Sequence, residues 1–320
     1  MSFRERIAPV AARVEAGFAR FQRVREAGVI EPYLGYASGD DLILRGRVLA
    51  RDPRKAARAR QSRLQNALAM LRLFLTKEVA GVEVAAPGVS TRTDDEGYFA
   101  LRLPRPAEPG WAEVDVRCAG VAGRLVGLVP DPAARFGVIS DIDDTMMRTG
   151  AWTLWRNLWT TFTGSVESRE VFPDAIRLME RLSEGGLNPV FFVSSSPWNL
   201  HAFITDVFAR AGLVRGPLFL RDLGISQSQF ITGTHGDHKG GAIDKILSAN
   251  PGLPFVLIGD SGQHDAQVYL DAILHHPGRI ERVILRVAGP VSKEDRDAVE
   301  HIRATGTPVE MVETYDALVD

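Results

Sequence analysis

Three carboxylates and a hydroxyl close the segment Phe136-Gly-Val-Ile-Ser-Asp-Ile-Asp-Asp-Thr145, directly after an apolar run. A run of this kind suits a parallel strand buried on both faces, and ligands of open α/β sheets gather beyond the carboxyl ends of such strands. Acidic groups crowded at that edge repel one another and are costly to desolvate, so Asp141, Asp143 and Asp144 call for a cation. Mg²⁺, which takes one or two carboxylates together with phosphate oxygens, suits the set. A polar turn leading into a helix cap would give the same letters, so the rest of the chain must decide.

Two more apolar runs stop in the same manner. Phe191-Phe-Val193 runs into Ser194-Ser-Ser-Pro-Trp198, and Phe255-Val-Leu-Ile258 into Gly259-Asp-Ser-Gly-Gln-His-Asp265. Between them, Gly233-Thr-His-Gly-Asp-His-Lys-Gly-Gly241 leads into a helix. A carboxylate at a strand tip can attack phosphorus and form an acyl phosphate. Asp143, two residues further on, could protonate a leaving alkoxide and then deprotonate water. Ser194, with the backbone N–H groups that open the following helix, could hold phosphate oxygens. Asp260 would supply a further metal ligand, and Asp265 would orient the ion directly or through water.

Lysine occurs only at Lys55, Lys77, Lys239, Lys245 and Lys293, in a chain whose other basic side chains are arginine. A compact ammonium among glycines, at Lys239, can neutralise phosphoryl oxygens and aspartates together. Lys245, further along the helix, reads as solvated. His235, Asp237 and His238 lack a convincing ligand set and read as shaping the loop around Lys239.

The elements that position these residues differ along the chain. From Arg135 onward, strand candidates at Val190–Val193, Pro217–Leu220, Phe255–Ile258 and Arg282–Leu285 alternate with helical stretches near 174–184, 198–211, 239–249, 264–275 and 292–303. That rhythm predicts an α/β fold with a doubly wound parallel sheet. Residues 30–130 look mostly β, with short alternating segments at 41–50, 81–85 and 112–118 divided by turns such as Thr93-Asp-Asp-Glu-Gly97, and predict a small antiparallel β-sandwich-like domain. Asp94, Asp95 and Glu96 read as a solvated hairpin turn rather than a Ca²⁺ site. The prolines of Val129-Pro-Asp-Pro132 mark a junction, giving domains 1–130 and 131–320. Arg54 to Leu75 reads as an arginine-rich helix. Phe3, Ile7, Val10, Val14, Phe18, Phe21 and Val24 form the stripe of an N-terminal helix that packs on the protein's own body or, alternatively, rests on lipid.

Composition sets the outer bounds. A length of 320 residues suits two domains, and a net charge of −2 gives no general pull toward nucleic acid or membrane. Cys118 is the only cysteine, which excludes an intrachain disulfide and a thiolate metal cluster and fits a reducing cytosol. No apolar run is long enough to span a bilayer, and the first residues lack the apolar stretch of a secretion signal. The expected location is cytoplasmic, with peripheral membrane contact as a further expectation.

Taken in order, Asp141-Ile-Asp-Asp-Thr145, Ser194, Lys239 and Gly259-Asp260 with Asp265 resemble the four motifs of the haloacid dehalogenase superfamily of phosphohydrolases. Val193-Ser-Ser-Ser-Pro-Trp198 and Leu257-Ile-Gly-Asp-Ser-Gly-Gln-His-Asp265 bring the chain closer to one branch, the Mg²⁺-dependent phosphatidate phosphatases associated with yeast actin patches. Ser195 stands where that branch would have Asn. The resemblance covers about residues 135–275, and the β-rich region with Thr93-Asp-Asp-Glu-Gly-Tyr-Phe99 is similar to the domain that precedes it in bacterial members. It implies Asp141 as nucleophile and Asp143 as general acid/base. Mg²⁺ would be held by the Asp141 carboxylate, the Asp143 backbone carbonyl and Asp260, with Asp265 as an acidic partner. Ser194, Lys239 and Thr145 would meet the substrate phosphate. The implied reaction releases diacylglycerol and phosphate from phosphatidate.

Two features bear on substrate. Trp152, Trp155, Trp159 and Phe162 share a helical face just beyond the acidic motif, where the resembled superfamily carries a flap, and this face is either lipid-facing or buried. Arg51, Arg54, Lys55, Arg58, Arg60 and Arg63 read as a solvated helix face that could also attract anionic lipid. Rival readings are a phosphatase of the same superfamily acting on a soluble metabolite or a nucleic-acid end, and a non-enzymatic lipid- or protein-binding module.

Overall fold

A computed structural model describes residues 27–51, 78–147, 171–221, 235–262, 264–287 and 289–319, with the side chains of 235–237 excepted. The N-terminal stripe, the 54–75 segment, the basic cluster beyond Arg51 and the tryptophan face at 152–162 lie outside the described residues.

The second half forms a six-stranded sheet in the order β10-β9-β8-β11-β12-β13, with every neighbouring pair parallel. The strands are β8 (Gly137–Asp141), β9 (Val190–Pro197), β10 (Leu218–Arg221), β11 (Phe255–Asp260), β12 (Ile280–Arg286) and β13 (Val309–Val312). Helices α1 (Pro173–Ser183), α2 (His201–Ala211), α3 (His235–Ala249), α4 (Asp265–His275) and α5 (Lys293–Ala304) follow strands in alternation. The expected parallel sheet interleaved with helices is therefore met.

Period-two alternation along each strand splits the core into two layers. Val138, Phe192, Val256 and Ile284 pack with α1 and α2 on one face. Ile139, Phe191, Leu257 and Leu285 pack with α3, α4 and α5 on the other. With both faces covered, these strands read as unbroken apolar runs. The strand order reverses between β8 and β11, and their carboxyl ends leave a crevice at such a point.

The described residues between 29 and 129 contribute one seven-stranded sheet in the order β4-β3-β6-β7-β1-β2-β5. Its strands are β1 (Val29–Ser38), β2 (Asp41–Leu49), β3 (Glu83–Ala86), β4 (Val89–Arg92), β5 (Tyr98–Pro104), β6 (Gly110–Cys118) and β7 (Val121–Val129). The outermost strands β4 and β5 approach each other, so the sheet nearly closes around a single core that includes Ile30, Leu44, Val48, Val84, Leu101, Val116 and Leu125. The two-sheet sandwich expected from the alternation is thus replaced by one curled sheet, and β1 pairs with β7 in parallel rather than antiparallel fashion. Curling is helped by the break in register between Tyr33 and Tyr36 of β1. It is helped too by Gly46, where a Cβ would stand 2.7 Å from the Glu31 carbonyl oxygen and 2.8 Å from the Phe99 ring. Residues 94–97 form a turn, with Asp94 Oδ1 accepting from the N–H groups of Glu96 and Tyr98, but it links the outermost strands β4 and β5, which pair with β3 and β2 rather than with each other as a hairpin would.

The two sheets share a core. Tyr36 and Leu128 of the curled sheet are buried with Ile139, Phe191 and Phe219 of the parallel sheet, and Arg45 donates across the seam to the carbonyl of Leu218 at 3.2 Å.

Candidate active site

Adjacent strand tips at the order reversal carry the acidic groups. Asp141 ends β8 and Asp260 ends β11, and Asp265 opens α4 one turn later. All three are buried, and a carboxylate oxygen of each lies within 4.8 Å of the others. Lys239 comes in from α3, which begins at His235, so Lys239 sits in the second turn of a helix rather than in a loop before it. Its Nζ is 2.7 Å from Asp141 Oδ1 and 2.5 Å from Asp265 Oδ1. Asp265 Oδ2 accepts from the Asp260 N–H at 3.1 Å, so both oxygens of Asp265 are engaged. Asp260 Oδ2 accepts from the Gly262 N–H at 2.8 Å.

The packing below this cluster is tight. A Cβ on Gly259 would stand 2.6 Å from both Asp265 Oδ2 and the Tyr269 hydroxyl oxygen, so only glycine lets α4 settle against β11 here. The Tyr269 hydroxyl donates to the Ile258 carbonyl at 2.7 Å and fixes that helix from beneath.

A second group faces the first. The Ser194 hydroxyl donates to Asp143 Oδ2 at 2.7 Å and accepts from the Ser196 N–H at 2.9 Å, while the Ser196 hydroxyl lies 3.4 Å from the same Asp143 oxygen. Ser194 and Ser196 point to one side of β9 because they are two residues apart. That spacing was the available signal for Ser196, which sequence reasoning passed over. Asp144 takes a left-handed backbone (φ 56°) and turns the chain, its N–H donating to the Met147 carbonyl at 2.9 Å. Thr145 is fully buried, and its hydroxyl has no hydrogen-bond partner among the described residues.

The electrostatics are those of a cluster short of positive charge. Burial pushes the Asp141 carboxyl well above its usual range, Lys239 pulls it down, and Asp265, Asp143 and Asp260 push it up again. Burial, then Asp265, raises Asp260 to about 8 against the pull of the Gly262 N–H and Lys239. For Lys239, burial disfavours the ammonium, but Asp141 and Asp265 outweigh it and hold the charge. Three carboxylates thus face one ammonium. Asp141 Oδ2 and Asp260 Oδ1 are buried oxygens that accept no hydrogen bond from the described residues. Hard oxygen donors, excess negative charge and unsatisfied lone pairs fit a divalent cation. Arg286, beside Asp260 in the β11–β12 register, does not fill the deficit. Its guanidinium is 2.6 Å from Asp174 Oδ2 and lies between the Phe172 and Tyr315 rings at 4.2 and 4.1 Å.

Known proteins cluster on the same stretch. The family described as phosphatidate phosphatase APP1, catalytic domain, matches residues 136–287. Phosphatidate phosphatase APP1 of Saccharomyces cerevisiae is 30% identical over 152 residues, covering 47% of this chain and 25% of that protein. An uncharacterized protein of Schizosaccharomyces pombe is 28% identical over 153 residues, covering 47% of this chain and 24% of its own length. These matches support that family for the half of the chain that carries the site, and the chain spans about a quarter of the length of those relatives. Among solved structures, a class C acid phosphatase from Bacillus anthracis with tungstate bound aligns at a TM-score of 0.34 and 12% identity, over 57% of this chain and 68% of that one. That likeness is too low to bear on fold or function. No helix among the described residues is long and apolar enough to cross a membrane.

Proposed function

We propose that the chain is a phosphoric monoester hydrolase that acts on phosphatidate, releasing diacylglycerol and inorganic phosphate. Its catalytic domain (131–320) would have the doubly wound haloacid dehalogenase-like fold, preceded by a domain of N-terminal helix and β strands (1–130) whose sheet shares a core with it. The observation that carries this reading is the meeting of Asp141, Lys239, Asp260 and Asp265 at one strand-tip crevice, within the residues that match the phosphatidate phosphatase family.

In the mechanism we assign, an Asp141 oxygen attacks phosphorus and displaces the alkoxide, which takes a proton from Asp143. Asp143 then removes a proton from water, which attacks the aspartyl phosphate, frees phosphate and restores the Asp141 carboxylate. Before substrate binds, the hydroxyls of Ser194 and Ser196 hold Asp143 in place. With substrate, Ser194 turns its one hydroxyl proton to a phosphoryl oxygen beside Thr145 and Lys239, Ser196 keeps Asp143 placed, and Asp265 keeps Lys239 directed at Asp141. Asp141, the Asp143 backbone carbonyl and Asp260 would hold Mg²⁺, with Asp265 beside them. Such an ion, when bound, would offset charge on the phosphoryl oxygens and favour the ionised form of the carboxylates. We place the protein in the cytoplasm, meeting lipid at a membrane surface.

The deciding experiment measures phosphate release from phosphatidate in mixed micelles and from water-soluble phosphomonoesters, with Mg²⁺ and with a chelator. Mg²⁺-dependent release from phosphatidate, lost in Asp141→Asn while the circular dichroism spectrum is unchanged, is the expected outcome. Release by Asp141→Asn at the normal rate removes Asp141 as nucleophile. Preference for a soluble ester moves the substrate away from lipid.

A further inference from the structure

We propose that Tyr33, on the curled β sheet, is a positioning residue for the phosphate-binding end of β9 at Ser194–Ser196; this rests on the phosphatase reading above. Tyr33 is buried, and its ring stacks on Trp198 with centroids 4.7 Å apart and planes at 23°. It also leans on the His201 ring at 4.3 Å. Arg45, from the neighbouring β2, lies 5.2 Å over the same Trp198 ring and donates to the carbonyls of Leu34 and Leu218, both at 3.2 Å. Trp198 is thereby gripped by two side chains of the other sheet.

Trp198 is joined to Ser196 through Pro197 alone, and proline restricts rotation at that link. A shift of the indole is therefore passed to Ser196 and to the Ser196 N–H that holds the Ser194 hydroxyl. Trp198 also leads into α2 through a single 3₁₀ turn, and His201 of that helix touches Tyr33 as well. The strand end that orients Asp143 and receives phosphate is thus set from one side by its own sheet and from the other by Tyr33. The curled sheet acts as part of the catalytic apparatus rather than as an independent appendage.

The same seam supplies a control. Arg215, just before β10 and near the amino end of the parallel sheet, lies 4.4 Å over the Trp111 ring of β6. Trp111→Leu loosens the seam far from Ser194–Ser196. The test uses the full chain, with p-nitrophenyl phosphate for turnover and inorganic phosphate for affinity by titration calorimetry. Tyr33→Leu should raise KM and weaken phosphate binding on the order of tenfold, with a smaller change in kcat. Tyr33→Phe should restore both, and Trp111→Leu should lower the melting temperature with KM unchanged. Wild-type KM and phosphate affinity in Tyr33→Leu, or an equal KM rise in Trp111→Leu, overturns the assignment. Should Tyr33→Leu fail to fold, Arg45→Met removes the cation from Trp198 and is read in the same way. A wild-type protein that binds phosphate but hydrolyses no ester overturns the hydrolase reading alone, and the affinities then decide this one. A wild-type protein that does neither overturns both.

Discussion

Replacing Lys239 by methionine removes the one ammonium that the described residues bring to a cluster of three buried carboxylates. The lost contacts are the 2.7 Å pairing with Asp141 and the 2.5 Å pairing with Asp265, both shielded from water. Removing one partner of a buried ion pair costs about 3–5 kcal/mol, because the remaining charge stays desolvated. With a urea m-value of about 3 kcal/mol/M for a chain of this size, the unfolding midpoint should fall by about 1–1.7 M in metal-free protein. The loss should depend on pH in a defined direction. Lys239 lowers the pKa of both Asp141 and Asp260, so its removal raises them further above their unfolded values. Stability from a carboxyl raised on folding is fully present below its unfolded pKa and is lost as pH rises through the folded pKa. The variant should therefore lie closest to wild type near pH 5 and furthest below it near pH 8.5. Adding Mg²⁺ at pH 8.5 should recover part of the gap. A difference under about 1 kcal/mol at pH 8.5, or one of equal size at both pH values, would refute a charge-deficient buried cluster.

Three more outcomes follow from the same geometry. Asp260 is raised from 3.8 to about 8, so its contribution to metal-free stability is present below about pH 4 and lost as pH rises through about 8. Mg²⁺ binds the ionised form, and the melting-temperature increase it produces should grow from pH 6 to pH 8; a shift independent of pH by scanning calorimetry contradicts this. Ser194→Ala removes the hydroxyl that donates to Asp143 Oδ2 and should lower turnover on the order of ten- to a hundredfold with little change in melting temperature. Wild-type kinetics in that variant would dismiss Ser194 as an orienting group. Gly259→Ala forces a methyl to within 2.6 Å of Asp265 and Tyr269 and should cost about 1–3 kcal/mol in denaturation together with most of the activity. Unchanged stability would mean that α4 has room to move.

Much of the parallel sheet was legible because its strands are buried on both faces and stand out as short apolar runs between helical stretches. Strand tips therefore located Asp141, Ser194 and Asp260, the position one helical turn beyond Asp260 located Asp265, and the scarcity of lysine together with the surrounding glycines singled out Lys239. Two strands escaped this logic. β13, at one edge of the parallel sheet, is half-buried along its whole length, and β1, inside the curled sheet, contains Pro32 and Gly35, residues that weaken a strand signal. Closure of the curled sheet was hidden for a different reason. Alternating residues specify one buried face and one exposed face, and a sandwich and a curled sheet satisfy that pattern equally. The choice is made by long-range pairing of β1 with β7 and by close approaches such as that at Gly46. The Asp143–Ser194 bond and the Tyr33–Trp198 stack join residues distant in sequence, and neither leaves a local pattern.

The parallel pairing of β1 with β7 also governs how the molecule resists tension. The chain enters β1 at Val29, and β7 leaves at Val129 toward the catalytic sheet, so a stretching force on these two points pulls the paired strands in opposite directions along their length. The cross-strand bonds around Leu34–Val126, Gly35–Gly127 and Tyr36–Leu128 must then rupture together instead of unzipping one after another. Single-molecule extension between residues 29 and 129 should accordingly meet a higher unfolding force than extension across the antiparallel β1–β2 hairpin, because forced unfolding is governed by the rate of crossing that barrier.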